Sequence, residues 1–308
     1  MRKRKRKGSG KKYVPQKTEL VGIESLQDFV ELCLWSAYIK KERSVSTLIM
    51  ASPERAKTEI MKKYRLNKGV ACFDDATAFG IYMEEAQRIH SKELKTILFP
   101  DLTTPLQRKH HTVNTLLSFL NSIIEEGIVR VSTFYTYSSF GGIHRPRDVT
   151  GLRVNMVAGI TTSSFWSKKR TMEKIGFITR IVPFSYNYDL GLLKKIFKSI
   201  MDEKHIYKAV SEIELNFPSE ERSVKIPTNI DTSLNRIRKR IVKSISKEYQ
   251  TRGFKITGIR LFKNMRTLAK ASALREDRRI VNKYDLRRMG HLSQWMNFDE
   301  NPLEPLPF

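Results

Sequence analysis

The residues whose types and spacing best fit chemistry lie in segment 48–64, LIMASPERAKTEIMKKY. An apolar run typical of a buried strand leads into a polar turn, then Lys57 and Thr58, then a helix-like stretch. Residues 51–58 match the spacing GxxxxGK(S/T) of phosphate-binding loops, in which the lysine reaches the terminal phosphates and the hydroxyl binds Mg²⁺. Ala51 and Ala56 replace both glycines, which such loops use for positive φ or close approach. The spacing predicts an anion site where Lys57 supplies charge at a solvated turn.

A phosphate site that works with Mg²⁺ also needs a carboxylate for the metal, and hydrolysis needs a second one to orient water. Segment 95–99, KTILF, predicts a buried strand that leads towards Asp101. We therefore expect Asp101 to bind the metal together with Thr58. No glutamate follows Asp101, so hydrolysis stays an open question, and Asp74 with Asp75 forms an alternative carboxylate pair.

Strand-like and helix-like segments alternate through the first two thirds of the chain. Apolar or alternating runs predict strands at 45–50, 69–73, 95–99, 128–137 and 152–160. A helical period predicts helices at 27–39, 54–64, 80–90 and 111–126. This alternation predicts an α/β fold with a mostly parallel sheet and helices on both faces. Glu125 and Glu126, at the end of the last helix, are expected to be solvated.

Composition divides the chain into four parts. Residues 1–20 predict a disordered basic tail, because the first twelve hold eight basic and no acidic residues. Residues 21–190 form the α/β core, and 191–228 form a helix followed by a polar connector. Residues 229–308 predict a small, basic, all-helical domain.

The charge of the chain predicts an anionic partner. With 57 Lys+Arg against 32 Asp+Glu, the formal net charge is +25, and most of it lies in the tail and in the helical domain. Clustered positive charge favours a phosphate backbone over a merely solvated surface. The two cysteines, Cys33 and Cys72, make neither a disulfide framework nor a zinc site, which indicates an intracellular compartment. No segment has the 18 apolar residues of a membrane span, so we expect no membrane partner.

The segment at 51–58 resembles the nucleotide loop of the minichromosome maintenance (MCM) helicases, which are AAA+ ATPases, through Pro53, Ala56 and Lys57. Other resemblances follow in the family's order: NMVAGIT at 155–161, GFITRIVPFSY at 176–186, RLFKNMRTLAKASA from residue 260, and VNKYDL at 281–286. The resemblance implies a P-loop AAA+ core with a helical lid domain that uses ATP and Mg²⁺. It also implies self-assembly as a ring or filament on DNA.

The resemblance further assigns roles to single residues. Thr161 falls at the position of the sensor, although it precedes Thr162 and could instead cap a helix. Arg180 falls on the arginine finger that acts on a neighbour's nucleotide, with Thr179 and Ile181 departing from the family's pattern. The nucleotide-binding residues would be Ser52, Pro53, Glu54, Arg55, Ala56, Lys57 and Thr58, with Arg260 as the second sensor.

Three basic groups are candidates for DNA contact. The tail residues can neutralise phosphates without reading sequence, and a helix at 235–243 carries a basic face. In the family, a hairpin near residues 138–151 projects into the channel, and this loop is basic here. The residues are Arg2, Lys3, Arg4, Lys5, Arg6 and Lys7 in the tail, His144, Arg145 and Arg147 in the loop, and Arg236, Arg240 and Lys243 on the helix.

These observations predict a DNA-acting, MCM-like helicase, translocase or remodelling ATPase, with two alternatives. A hydrolysis-deficient, nucleotide-gated or nucleotide-free DNA-binding scaffold is favoured by the missing glycines and glutamate. A structural nucleic-acid-binding protein with a coincidental Lys-Thr pair would bind no nucleotide.

Overall fold

The structure is a computed structural model that describes five stretches of the chain: residues 22–126, 153–201, 212–249, 258–299 and 302–303. Three predicted features lie outside the described residues. They are the basic tail with Arg2–Lys7, the strand at 128–137, and the loop with His144, Arg145 and Arg147.

One sheet of five parallel strands forms the centre of the described fold. Across the sheet the order is β2-β3-β4-β1-β5, and every neighbouring pair is parallel. The predicted α/β fold with a parallel sheet is therefore confirmed. The strands are β1 (Thr47–Ala51), β2 (Val70–Cys72), β3 (Thr96–Phe99), β4 (Asn155–Thr161) and β5 (Val182–Ser185).

Helices connect the strands and cover the sheet. All residues of β1, β3 and β5 are buried, as expected for strands with helices on both faces. The helices of this part are α1 (Glu24–Ser36), α2 (Lys57–Lys62), α3 (Ala78–His90), the single turn α4 (Thr103–Leu106), α5 (His110–Asn121) and α6 (Thr162–Lys174).

The first and third helices, predicted at 27–39 and 80–90, begin three and two residues earlier, and two others depart from their predicted bounds for local reasons. The helix predicted at 54–64 begins only at Lys57, because the backbone at Glu54 and at Ala56 is left-handed, with φ of 60° and 57°. The helix predicted at 111–126 is α-helical to Asn121 and continues as a π-helical turn, Ser122–Glu126. The wider π turn changes which side chains face the core at the end of this helix.

A glycine in the middle of β4 lets the chain cross over the sheet after β3. A Cβ atom on Gly159 would lie 2.6 Å from the carbonyl oxygen of Pro100 and 2.5 Å from the terminal methyl of Met61. The amide of Leu102 donates a 2.7 Å hydrogen bond to the Gly159 carbonyl. Residues 100–102, including Asp101, are therefore held against β4.

Among the described residues after β5 there are four helices: α7 (Leu190–Met201), α8 (Thr228–Tyr249), α9 (Ile259–Arg275) and α10 (Lys283–Leu292). The last three pack on one another, and α9 also packs on α1. The extended segment 212–227 is joined to the end of α1, since the Arg222 amide donates to the Tyr38 carbonyl and the Lys40 amide donates to the Arg222 carbonyl. Within the described stretches, no helix has the length and apolarity to cross a bilayer.

A buried ion-pair network joins α1 to the C-terminal helices. Arg275 contacts Asp28 at 2.7 Å and Glu31 at 2.9 Å, and Arg288 approaches the other oxygen of Asp28 at 3.4 Å. The Arg288 side chain is only 2% exposed, and it donates a 2.8 Å hydrogen bond to the hydroxyl of Ser272. The network fixes α9 and α10 against the core through groups that have little access to water.

Candidate nucleotide site

The loop between β1 and α2 is a compact turn built around Lys57. The Lys57 ammonium donates to the carbonyl oxygens of Ala51 and Ser52, each at 2.8 Å. Only 8% of Lys57 is exposed, so the prediction of a solvated turn is wrong at this residue. The reason is that the side chain folds back across the loop, where its charge meets two backbone oxygens rather than water.

The loop obtains left-handed backbone without glycine. Ala56, directly before α2, takes the conformation for which glycine was expected. Ala51 does not, since it is the last residue of β1, and the second left-handed position is Glu54. Left-handed conformation in a residue other than glycine costs of order 1–3 kcal/mol, so the surroundings must hold this loop.

Two tyrosines that follow β5 hold the loop from one side. The Tyr186 hydroxyl donates to the carbonyl oxygen of Arg55. The Arg55 guanidinium lies over the ring of Tyr188, 4.8 Å from its centroid. Burial raises the pKa of Tyr186 well above its ordinary value and that of Tyr188 to about 12, so both hydroxyls keep their protons at neutral pH. The sequence did not indicate either tyrosine as part of the site.

The strand order brings three predicted residues to one edge of the sheet. Thr161 ends β4 directly opposite Ala51, and Asp101 follows β3 on the other side of β4. Because neighbouring strands lie about 4.8 Å apart, the ends of β1 and β3 are separated by about 10 Å. In open α/β sheets, ligands bind beyond the carboxyl ends of the strands, where connections leave in opposite directions. Here β1 is followed by β2, which is the outermost strand on one side of the sheet. In contrast, β4 is followed by β5, which is the outermost strand on the other side.

Asp101 and Thr161 both make local contacts in the described state. Asp101 is half-buried and accepts a 2.9 Å hydrogen bond from the amide of Thr103. The Thr161 hydroxyl accepts from the amide of Ser164, so the alternative of helix capping is observed. Although Thr161 caps this helix, it still lies at the carboxyl end of β4, next to Ala51 at the start of the Lys57 loop.

The alternative carboxylate pair lies beyond β2 at the far edge of the sheet. Asp74 pairs with Lys62 at 3.4 Å, and Asp75 pairs with Arg108. Both ion pairs are substantially exposed, and β3 and β4 separate β2 from β1. The strand that Asp101 follows therefore lies one place closer to β1 in the sheet than the strand that precedes this pair.

Arg180 and Arg260 lie together at the opposite edge of the sheet. Arg180 lies two residues before the first residue of β5, at the amino end of the strands. Its Nε lies 3.0 Å from Glu125, and Arg260 contacts the same carboxylate at 2.8 Å and the Thr179 hydroxyl at 3.3 Å. The two arginines predicted to contact nucleotide therefore share one site, at the end of the sheet away from Lys57.

Glu125 was expected to be solvated, and this expectation is wrong. It lies in the π turn and is only 8% exposed, because the side chains of Arg43, Arg180 and Arg260 contact it. Burial alone would raise the pKa of Glu125, but hydrogen bonds from Arg260 and Arg43 and the charge of Arg180 hold it below its ordinary value. Arg43 was not predicted, since no local pattern marks it.

The basic face of α8 is the one DNA candidate within the described residues. Arg236 and Lys243 are exposed as predicted, whereas Arg240 is partly buried. Lys239 is exposed and completes the row, with spacings of three and four residues. The exposed basic row is therefore Arg236, Lys239 and Lys243.

No protein-family profile matches the chain, and no curated protein matches it either.

Proposed function

We propose that this protein is a P-loop nucleoside triphosphatase whose 52–58 loop binds the phosphates of ATP. The observation that carries the proposal is the alignment of the Lys57 loop, Thr161 and Asp101 along the carboxyl edge of three adjacent strands. The backbone of the loop is already formed, so its own reordering is small, but Lys57 has to leave the carbonyl oxygens of Ala51 and Ser52 to reach a phosphate. Mg²⁺ would be held by Thr58 and Asp101 together with phosphate oxygens and water, the ligands it prefers.

Within this class, we propose an AAA+ ATPase that resembles the MCM helicases and acts on DNA, in the compartment that contains the genome. Support comes from Arg180, which lies at the amino edge of the sheet, away from the loop of its own chain. An arginine there reaches phosphates only on a second copy, which a ring or filament supplies. The helices α8, α9 and α10 would form the lid domain.

A hydrolysis-deficient scaffold is the second candidate, and one observation favours it. The residue after Asp101 is Leu102, which is fully buried and hydrogen-bonded to β4. The position at which the resemblance would have a water-orienting glutamate thus carries no carboxylate. ATP binding without turnover, in the presence of DNA, would identify this candidate.

The function is tested by mixing two inactive variants. Arg180→Ala and Lys57→Met should each lack DNA-stimulated ATP turnover. In an equal mixture, about a quarter of the interfaces combine an intact loop with an intact arginine, so about a quarter of wild-type turnover should return. Turnover is measured with and without single- and double-stranded DNA.

Arg279→Ala is the matched control, since Arg279 is an exposed arginine between α9 and α10. This variant should keep full turnover. A wild-type chain that stays monomeric with ATP and DNA would exclude the assembly, and a mixture with no activity would exclude action between copies.

DNA binding should depend steeply on salt, because the proposed contacts are with phosphates. Replacing the basic row of α8 with glutamine (Arg236, Lys239 and Lys243) should reduce the slope of log affinity against log salt by about 0.9 per lost contact on duplex. Deleting residues 1–12 should also flatten the slope and weaken binding to all sequences alike. Equilibrium binding over a salt series measures both changes.

The control removes the same charge elsewhere. Lys40, Lys68 and Lys92 are exposed and lie outside α8, and their replacement with glutamine should leave the slope nearly unchanged. Equal effects of the two triple variants would mean that net charge, and not the α8 face, determines binding.

A further inference from the structure

Glu125 is the centre of a compact arginine cluster at the amino edge of the sheet. Arg43, Arg180 and Arg260 approach its two oxygens at 2.5, 3.0 and 2.8 Å. The Glu125 side chain is 11% exposed, whereas those of Arg43 and Arg260 are 42% and 47% exposed. One enclosed carboxylate is therefore surrounded by three guanidinium groups, two of which also face solvent.

The cluster opens into a concave surface with a volume of about 470 Å³. Lys263 and Asn264 also line it, and Glu125 is the one acidic side chain among its described lining residues. Four basic groups against one acid leave an excess of positive charge in a partly enclosed space. Such a space attracts anions, and guanidinium groups bind phosphate oxygens in a fork geometry.

The three arginines come from distant parts of the chain. Arg43 precedes β1, Arg180 precedes β5, and Arg260 is in the first turn of α9. Glu125 is fixed by the buried turn that carries Ile123 and Ile124, while the arginine side chains are long and rotatable. An incoming anion can thus draw Arg43 and Arg260 away from Glu125 without moving the backbone.

We propose that Glu125 is a displaceable counter-ion, and that the terminal phosphates of a nucleoside triphosphate take its place on Arg43 and Arg260. The triphosphate is the one bound by a neighbouring copy, so this part rests on the proposed function. Arg43 is then an additional phosphate-binding residue. In the free chain, Glu125 keeps the three arginines aligned and restrains Arg180, which also donates to the Gly176 carbonyl at 2.8 Å.

The exchange makes assembly sensitive to the nucleotide. A triphosphate offers more negative charge than the single carboxylate that it replaces, whereas a diphosphate lacks the outermost group. Copies should therefore associate more strongly with ATP than with ADP. Hydrolysis, where it occurs, would return the arginines to Glu125 and weaken the contact.

The cluster is tested first without the nucleotide loop. Inorganic tripolyphosphate is titrated calorimetrically into chains that carry Lys57→Met, at concentrations where they are monomeric. Adding Glu125→Gln should raise the affinity by about tenfold or more, because the competing carboxylate is lost, and adding Arg43→Gln should lower it by a similar factor. Arg279→Gln is the matched control and should leave the affinity unchanged.

Unfolding temperatures verify that each variant is folded. If Glu125→Gln is unstable, Glu125→Asp takes its place. The shorter side chain moves the carboxylate away from the arginines by one methylene, so the affinity for tripolyphosphate should again rise. An affinity that changes with neither Glu125 nor Arg43 overturns the proposal. This outcome does not depend on whether the 52–58 loop binds ATP.

A second arm identifies the source of the phosphate. Sedimentation with ATP or ADP compares chains with an intact Lys57: Arg43→Gln should weaken ATP-driven association, and Glu125→Gln should strengthen it. If tripolyphosphate binding responds to both variants but association responds to neither, the site binds free phosphates, and the role of the neighbouring copy is wrong. If Lys57→Met leaves ATP binding unchanged, the proposed function is wrong. The tripolyphosphate titration still tests whether the arginine cluster binds phosphate.

Discussion

Replacing Lys57 with methionine should lower the affinity for ATP by about 10- to 100-fold, because a hydrogen bond between charged groups contributes roughly 1.5–3 kcal/mol. Methionine keeps most of the stem of the buried side chain and removes the ammonium. The carbonyl oxygens of Ala51 and Ser52 lose their donor, so the unfolding free energy should fall by about 1–2 kcal/mol while the fold is kept. Calorimetric titration with ATP and Mg²⁺ measures the affinity.

Lys68→Met is the matched control, since Lys68 is exposed in the turn before β2. Its ATP affinity should equal that of the wild type. If Lys57→Met binds ATP as tightly as the control does, the 52–58 loop is not the nucleotide site. Absence of ATP binding in the wild type would favour a structural nucleic-acid-binding protein.

Arg288→Ala should cost about 3–5 kcal/mol of unfolding free energy, because it breaks a buried ion pair and leaves a cavity. Arg288 is 1% exposed, and its removal takes from Asp28 one of its two ion pairs with arginine, the other being with Arg275. The hydroxyl of Ser272 also loses its donor from Arg288. Urea unfolding followed by circular dichroism measures the loss.

Two further variants separate charge from packing. Arg279→Ala removes an exposed arginine and should change the free energy by less than about 0.5 kcal/mol. Combining Arg288→Met with Asp28→Asn removes both charges, so the double variant should lose less than the sum of the single losses. Strict additivity would show that Arg288 acts through packing alone.

The segment that follows the 52–58 loop is connected to the C-terminal helices through the core. The hydroxyl of Tyr64, two residues beyond α2, donates a 2.8 Å hydrogen bond to Glu31, which also pairs with Arg275 on α9. The end of the segment that contains α2, helix α1 and helix α9 therefore share one polar network. The Arg288 variant should for this reason be assayed for ATP binding under conditions where it is fully folded.

The sequence alone determined the properties that depend on local pattern. Apolar runs and helical periods predicted four of the five strands that the structure describes and the main helices, because such patterns are visible in any short window. The 51–58 spacing identified the loop between β1 and α2, and the charge count identified the basic α8. These features need no knowledge of which segments meet in space.

The tertiary structure alone decided which residues share a site. The order β2-β3-β4-β1-β5 differs from the order along the chain, and it places Asp101 and Thr161 beside the Lys57 loop. Glu125 and Arg43 are 82 residues apart, and Glu125 and Arg260 are 135 residues apart, so no local pattern could have joined them. Arg260 lies with Arg180 because both contact Glu125, and Lys57 is buried because its side chain folds back across its loop. Contacts of this kind depend on how whole elements pack, which the period of a segment does not encode.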